Sequence, residues 1–174
     1  MIPAPVPAPP KQRTLAGLID AGIVVAYVAV IGMLLAVVFP LVTGPTPLWV
    51  EIMLAMLFIE VPITVWWVRQ ESLTGTTIGK KFKGLRVVRM GTDDQASTRH
   101  YVVRVVAQIL PWAIVHIFIL VAADPRYENQ WYWSLPLMTL AGTAGVISIL
   151  VAYFRIDHRT GYDLIAGTQV VLVQ

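Results

Sequence analysis

The chain has 174 residues, enough for one compact domain or a small helical bundle, and carries a net charge of +3. Hydrophobic residues make up 57% of it and charged residues only 13%, and its mean hydropathy is +0.71. A water-soluble domain of this size cannot bury so much apolar surface, because its surface is large relative to its volume. The absence of cysteine excludes disulfides, thiolate zinc sites and cysteine nucleophiles. The composition therefore predicts an integral membrane protein.

Residues 1–12, MIPAPVPAPPKQ, are predicted to form a proline-rich cytoplasmic tail, of which residues 1–10 cannot be helical. The stretch lacks the basic start and apolar run of a signal peptide. Two interpretations stay open, a solvated tail or a docking arm for a partner. The remainder, residues 13–174, is predicted to form one transmembrane domain.

Four apolar stretches follow the tail, and each is long enough to cross a hydrocarbon core about 30 Å thick as a helix. They cover residues of about 15–42, 48–68, 101–123 and 131–154. They do not alternate as the strands of a membrane barrel do. Breaks at residues 44–47 and at Asp124–Pro125 separate neighbouring stretches. The predicted fold class is all-α, a four-helix transmembrane bundle.

The basic residues predict the orientation of this bundle. All but one of the 13 Lys and Arg residues lie before the first stretch, between the second and third, or after the fourth. The exception is Arg126, between the third and fourth stretches. The positive-inside rule therefore predicts that both termini and the middle loop are cytoplasmic.

Two short β-prone runs lie outside the apolar stretches. Residues 85–90 read LRVVRM and residues 169–173 read QVVLV. We predict that they pair as a small two-stranded sheet on the cytoplasmic face. The alternative is two unrelated coils.

The middle loop is strongly basic, and we predict that it binds anionic lipid headgroups, at about 1 kcal/mol for each residue near the surface. The residues expected to do so are Lys80, Lys81, Lys83, Arg86 and Arg89. Nucleic acid is disfavoured because the cluster adjoins two spans. A phosphate loop at residues 75–81 is rejected, because its glycine spacing is one residue short and Lys81 replaces the required hydroxyl.

No metal-ligand cluster, nucleophile–base pair or nucleotide loop is visible in the sequence. We therefore expect no enzyme activity, no metal site and no cofactor.

Three acids fall inside the predicted spans, namely Asp20, Glu51 and Glu60. Intramembrane ionisable groups are costly and mark functional sites or buried pairs. We expect Asp20 and Glu60 to lie at similar depths and to meet, so that together they could hold a proton or a cation. In the alternative, Asp20 pairs with an arginine and Glu60 caps the backbone freed by Pro62.

Further side chains are assigned by their position in the spans. Arg104, at the mouth of the third span, is the expected partner of Asp20. His116 is expected to make an interhelical hydrogen bond rather than to relay protons. Small residues at 141–145 and at Gly17 allow close helix approach, either within the chain or in an oligomer.

Several segments together resemble one protein family. Residues 13–20, RTLAGLID, resemble the opening of the bacterial RDD family, which is named for one arginine and two aspartates. Residues 75–88, GTTIGKKFKGLRVV, are similar to its cytoplasmic loop, and Arg104 fits the arginine that begins its next span. Residues 158–171 resemble its closing motif.

Carried over by position, the name-giving residues are Arg13, Asp20 and Asp163. The supporting positions of the motif are Gly79, Lys80, Gly84, Arg104, Gly167 and Thr168. One position departs from the pattern, because Tyr162 stands where the family often has histidine.

The resemblance implies a multi-pass protein of the bacterial inner membrane, in a family that is mostly of unknown function. One hypothesis is a non-catalytic accessory or scaffold subunit, with a protein partner or a second copy. Arg13 and Arg104 would then clamp Asp20, and Asp163 would bind Lys80 or Arg86. The alternative is a small cation or proton transporter using Asp20 and Glu60, since some members have been proposed to carry ions. Four spans leave little room for transporter repeats.

Overall fold

The computed structural model of the protein describes residues 6–44, 46–124 and 131–173. The predictions that concern residues 1–5, Pro45, Pro125 and Arg126 lie outside the described residues.

Four long helices dominate the described chain. They are α1 (Pro10–Thr43), α2 (Leu48–Thr74), α4 (Thr98–Ala123) and α5 (Trp131–Phe154). Within the described residues, these four helices are long and apolar enough to cross a membrane. They coincide with the four predicted spans, although α2 continues beyond Val68 to Thr74.

The short elements all follow a long helix. Helix α3 (Ile78–Phe82) and strand β1 (Leu85–Arg89) lie between α2 and α4. Helix α6 (Gly161–Ala166) and strand β2 (Thr168–Leu172) follow α5. The two strands pair antiparallel, with Leu85 opposite Leu172 and Arg89 opposite Thr168. The predicted pairing is therefore confirmed.

The N-terminal segment adds to this sheet rather than extending into solvent. The amide of Ala8 donates to the carbonyl of Val170 at 3.0 Å, and the amide of Leu172 donates to the carbonyl of Val6 at 3.0 Å. Helix α1 then begins at Pro10, where the fixed φ of proline suits the first helical turn. The predicted solvated tail therefore does not describe residues 6–12, because they belong to the sheet edge and to α1.

The sheet packs its apolar face on the beginnings of α1 and α4. Leu85, Val87 and Val170 form a buried cluster with Ala16 and Tyr101. The short side chain of alanine lets α1 lie close to the strands. The strands therefore do more than cover a loop, because they fix the positions of two helices relative to each other.

Each of the first two long helices contains a π-helical turn, at Leu34–Val38 in α1 and at Met56–Glu60 in α2. The second turn lies just before Pro62, which has no amide hydrogen to give to the carbonyl of Phe58. The hydroxyl of Tyr27 on α1 donates to that carbonyl at 2.6 Å. A backbone group exposed by proline is thereby satisfied across the α1–α2 contact.

Helix α4 is the central helix of the bundle. Ile59 and Ile63 of α2 pack on its Val105 and Ile109. On its other side, a β-carbon built at Gly145 of α5 would lie 3.4 Å from the Pro111 and Trp112 side chains. The small residues at 141–145 therefore serve packing within the chain, one of the two interpretations left open by the sequence.

The buried position of Ala8 gives a test of the sheet edge. Ala8 has no solvent exposure, whereas Val6 is 45% exposed. Ala8→Leu should lower the free energy of unfolding by about 1–3 kcal/mol, because the added carbons have no room. Thermal unfolding of the detergent-purified protein measures this. Val6→Leu is the matched control and should change little, and equal effects of the two substitutions would contradict the docked segment.

Candidate functional site

Asp163 is the most constrained acid of the described chain. It lies on α6 with no solvent exposure. The side chain of Thr160 caps this helix and donates a hydrogen bond to the Asp163 carboxylate. One carboxylate oxygen accepts from Arg104 Nε at 2.8 Å and the other from Arg13 Nη2. Thr168 Oγ1 adds a further bond at 3.3 Å. Two cations from different long helices therefore hold one carboxylate.

Arg104 connects this carboxylate to a second buried acid. Its Nη1 donates to Glu71 Oε1 at 2.5 Å, and both side chains are 1% exposed. Its guanidinium carbon lies 5.1 Å from the centre of the Tyr162 ring, within the range of a cation–π interaction. The tyrosine that replaces the expected histidine therefore packs against the central arginine.

The remaining members join Glu71 to α1. Lys80 Nζ donates to Glu71 Oε1 at 2.9 Å and to Thr77 Oγ1 at 3.2 Å. Thr77 Oγ1 in turn donates to Asp20 Oδ2 at 2.5 Å, and the amide of Gly79 donates to Asp20 Oδ1 at 2.7 Å. Asp20 is thus the acceptor for the first turn of α3.

These contacts make one continuous series that returns to α1, which we call the RDD network. In order, its members are Arg13, Asp163, Arg104, Glu71, Lys80, Thr77 and Asp20. It starts and ends on α1 and passes through α6, α4, α2 and α3. Its three cationic and three acidic side chains balance, as buried charges require.

Helix α5 joins the same end of the molecule through neutral groups. The hydroxyl of Ser148 accepts from the amide of Tyr162 at 3.2 Å, and Thr14 Oγ1 lies 2.6 Å from the hydroxyl of Tyr153. Gly161 is needed at this contact, since a β-carbon there would lie 2.6 Å from Ser148 Oγ. The network and these contacts gather the ends of all four long helices.

Burial and charge determine how the acid of α6 ionises. Burial alone would raise the pKa of Asp163, but the positive charges of Arg13 and Arg104 outweigh it and hold the pKa below its usual range. For Lys80, burial lowers the pKa of the ammonium, and the Glu71 carboxylate offsets only part of that effect. Asp163 is therefore a charged structural acid, unsuited to exchanging protons near neutral pH.

Two predicted pairings are wrong. Arg13 and Arg104 do not clamp Asp20, because their guanidinium groups are bonded to Asp163. Asp163 consequently does not pair with Lys80 or Arg86. Asp20 has neutral donors instead, which the position of α3 against α1 supplies. The name-giving residues do lie in one site, but in a different arrangement.

Glu71 was missed by the sequence analysis. It lies beyond the apolar stretch that ends at Val68, so it is not among the acids inside the predicted spans. One signal was available, because Glu71 is the only acid between Val61 and Thr92 in a stretch rich in lysine and arginine. Continuing α2 by two turns would have set it beside Lys80.

Gly79 shows how closely α3 lies against α1. A β-carbon at this position would overlap the carbonyl oxygen of Ala16 and would lie 2.9 Å from Asp20 Cγ. The motif therefore requires glycine here for close approach rather than for an unusual backbone angle. Gly84 and Gly167 serve another purpose, since both have positive φ values, 62° and 65°.

The network encloses a cavity of about 50 Å³, lined in part by Asp20, Trp67, Lys80, Gln108 and Tyr162. A space of this size holds a few water molecules. It is too small for an organic substrate, whose pockets usually exceed about 300 Å³.

Glu60 and His116 form a separate polar contact. Glu60 Oε1 lies 2.9 Å from His116 Nδ1, across the α2–α4 interface. The interhelical hydrogen bond predicted for His116 is therefore confirmed. The predicted meeting of Glu60 with Asp20 is wrong, because Asp20 is bonded to Thr77 and Gly79.

The middle loop divides into buried and exposed basic residues. Lys80 is bonded to Glu71 and has a side chain only 12% exposed, so it is not free to bind a lipid headgroup as predicted. Arg86 pairs with Asp93 at the surface. Lys81 and Arg89 are exposed.

Comparison with known proteins gives one match. The model of the RDD family matches residues 7–167, which cover the RDD network from Arg13 to Asp163. No curated protein and no solved structure matches the chain.

Removing the acid of α6 should destabilise the fold. Asp163→Asn leaves Arg13 and Arg104 buried without their partner, which should cost about 3–5 kcal/mol. Asp157→Asn is the matched control, because Asp157 also pairs with two arginines but is 31% exposed.

The stability should also depend on pH through Asp163. Because the pKa of Asp163 is lowered on folding, its contribution to the free energy of unfolding is present above about pH 4 and lost as the pH falls further. Thermal unfolding should show a smaller acid loss in Asp163→Asn than in the native chain, because Glu71 and Asp157, whose pKa values are also lowered, remain in the variant.

The close contact between α3 and α1 can be tested at Gly79. Gly79→Ala should lower the free energy of unfolding by about 1–3 kcal/mol, since the backbone of α1 must move. Gly17→Ala is the control, because no atom lies within 4 Å of the added carbon. That change should be neutral or stabilising by up to about 1 kcal/mol. A neutral Gly79→Ala would refute the close contact.

Proposed function

The chain belongs to the RDD family, and from this premise we propose that it acts as a non-catalytic accessory or scaffold subunit of a larger membrane complex. In this proposal its four long helices cross a bacterial inner membrane, and both termini are cytoplasmic. The orientation is supported by the basic residues, which cluster at the helix ends that the RDD network gathers.

The use of the motif residues carries the proposal. Arg13, Asp20 and Asp163 all bond to groups of the same chain, and the acids among them have almost no exposure to solvent. A catalytic or transporting carboxylate must reach its substrate, whereas a structural one must be held. The residues that define the family are held, which favours a role in maintaining a shape.

The sides of the long helices supply the surface for assembly. In the apolar windows of the four helices, between 0% and 22% of the residues are buried within the chain. In a membrane, such surfaces are covered by lipid or by the helices of another protein. A protein with one rigid end and open helix flanks is suited to hold partner helices at a set spacing.

The exposed basic residues support contact with lipid. Lys81 and Arg89 are exposed at the end of the molecule where the sheet lies, and Lys83 is half-buried there. In our proposal they bind anionic headgroups, while Lys80 belongs to the RDD network. This replaces the broader set of basic residues expected from the sequence.

Cation or proton transport through Asp20 and Glu60 is the alternative, and it has less support. The two acids do not meet, and both carboxylate oxygens of Asp20 accept hydrogen bonds from the α3 region. A transport site would therefore have to use Glu60 without Asp20.

Extraction from the native membrane tests the proposed role. We expect the tagged full chain, taken into polymer-bounded native nanodiscs, to migrate well above the 19.2 kDa protomer. A second protein, or a second copy, should be present in a fixed ratio. Native mass spectrometry measures that ratio.

Two variants distinguish a specific complex from neighbouring proteins that are enclosed in the same nanodisc by chance. Asp163→Asn should lower the amount of complex, because the helix ends are no longer fixed, whereas Asp157→Asn should not. A chain recovered only as a monomer would contradict the proposal. Ion flux by purified protein in vesicles, abolished by Glu60→Gln, would favour the alternative.

A further inference from the structure

Glu60 and His116 form an ionisable pair inside the bundle, away from the RDD network. Their side chains are 14% and 24% exposed, and they join α2 to α4. Charged side chains at such positions in membrane helices are rare and usually serve a function. The packing of α2 on α4 does not require this pair, since the two helices already pack through Ile59, Ile63 and their partners.

The neighbouring elements bring few other ionisable groups. Helix α1 presents Tyr27, whose hydroxyl donates to Phe58. Helix α2 carries Glu51 toward its start, and Asp124 follows the last residue of α4. The described part of α5, which packs on α4, contributes Tyr132 and Tyr153 but no charged residue. In the part of the chain that the structure describes, the ionisable side chain bonded to Glu60 is that of His116.

We propose that Glu60 and His116 together bind one exchangeable proton within the membrane. With one proton, the pair is electrically neutral whether the proton is on the carboxylate oxygen or on the imidazole nitrogen. With no proton or with two, it carries a net charge in an apolar surrounding, which is unfavourable. At 2.9 Å, the carboxylate oxygen and the imidazole nitrogen are close enough to share this proton in one hydrogen bond.

The backbone around Glu60 holds this acid in place. The π-helical turn Met56–Glu60 ends at the acid, and π-helical turns are often found at functional sites. Thr64 Oγ1 donates to the carbonyl of Glu60 at 2.7 Å. The same turn contains Phe58, which is bonded to α1 through Tyr27. The proposed proton therefore lies where three of the long helices meet.

This inference does not depend on the scaffold role. A scaffold could use the proton to set the contact between α2 and α4, and the site would exist whether or not ions cross the membrane. The test therefore follows the proton itself and not transport.

The experiment is a pH titration of the full chain in lipid nanodiscs, followed by nuclear magnetic resonance. The histidine nitrogens and glutamate carboxyl carbons are labelled, and His116→Gln and Glu60→Gln assign the two signals. We expect both signals to change with one common midpoint. In Glu60→Gln the transition of His116 should move by at least about one pH unit, because its charged partner is gone.

Matched variants control for general effects. His100→Gln and Glu51→Gln should leave the transition of the pair in place, since His100 bonds Ser97 at the start of α4. Separate midpoints in the unmodified chain would overturn the proposal. So would an unmoved His116 transition in Glu60→Gln, or two signals that stay constant between about pH 4 and pH 10. If Glu60→Gln does not fold, Glu60→Asp removes the labelled glutamate and assigns its signal instead, and the midpoints of the unmodified chain then decide.

Discussion

A carboxylate that is fully removed from solvent requires cations beside it, and Asp163 obtains them from two different helices. Arg13 comes from α1 and Arg104 from α4, so neither helix can move without exposing a charge to an apolar surrounding. The other features of this end of the molecule follow from that constraint. Glu71 balances the second arginine, Lys80 balances Glu71, and Thr77 passes the contact on to Asp20.

The two aspartates of the family motif have different physical roles. Asp163 accepts hydrogen bonds from cations and is an electrostatic centre. Asp20 accepts hydrogen bonds from a hydroxyl and an amide, and so holds the start of the short helix α3 against α1. The glycine that follows in the motif, Gly79, lets the backbones of α1 and α3 approach. The three charged residues of the motif are far apart in the sequence, but in the structure they take part in the contacts that join helices α1, α2, α3, α4 and α6.

The helices and the strand pairing could be predicted because each depends on a local pattern. Apolar length defines the spans, and β-branched residues beside glycine define the strands. The ion pairs could not be predicted in the same way, because each depends on how far a helix continues and which way it faces. Ending α2 at Val68 hid Glu71, and without that acid Arg104 was assigned to Asp20. Likewise, equal depth in the membrane placed Glu60 beside Asp20, although facing direction puts it against His116.

The docked segment at Val6–Ala8 was not predicted because proline-rich sequences usually lack partners. Here an unpaired edge of β2 provides them, and the small side chain of Ala8 fits beneath the sheet. The sequence indicates that β2 is a strand, but it does not show that the edge of β2 opposite β1 is left unpaired and can accept the N-terminal segment.

The order in which the chain is synthesised gives the RDD network a consequence for biogenesis. Arg13 and Arg104 leave the ribosome well before Asp163 and β2, which come later in the sequence. Until Asp163 has been synthesised, α1 and α4 carry two arginines whose counter-ion does not yet exist. The ends of these two helices can therefore be fixed together only late in synthesis, after α5 has been made.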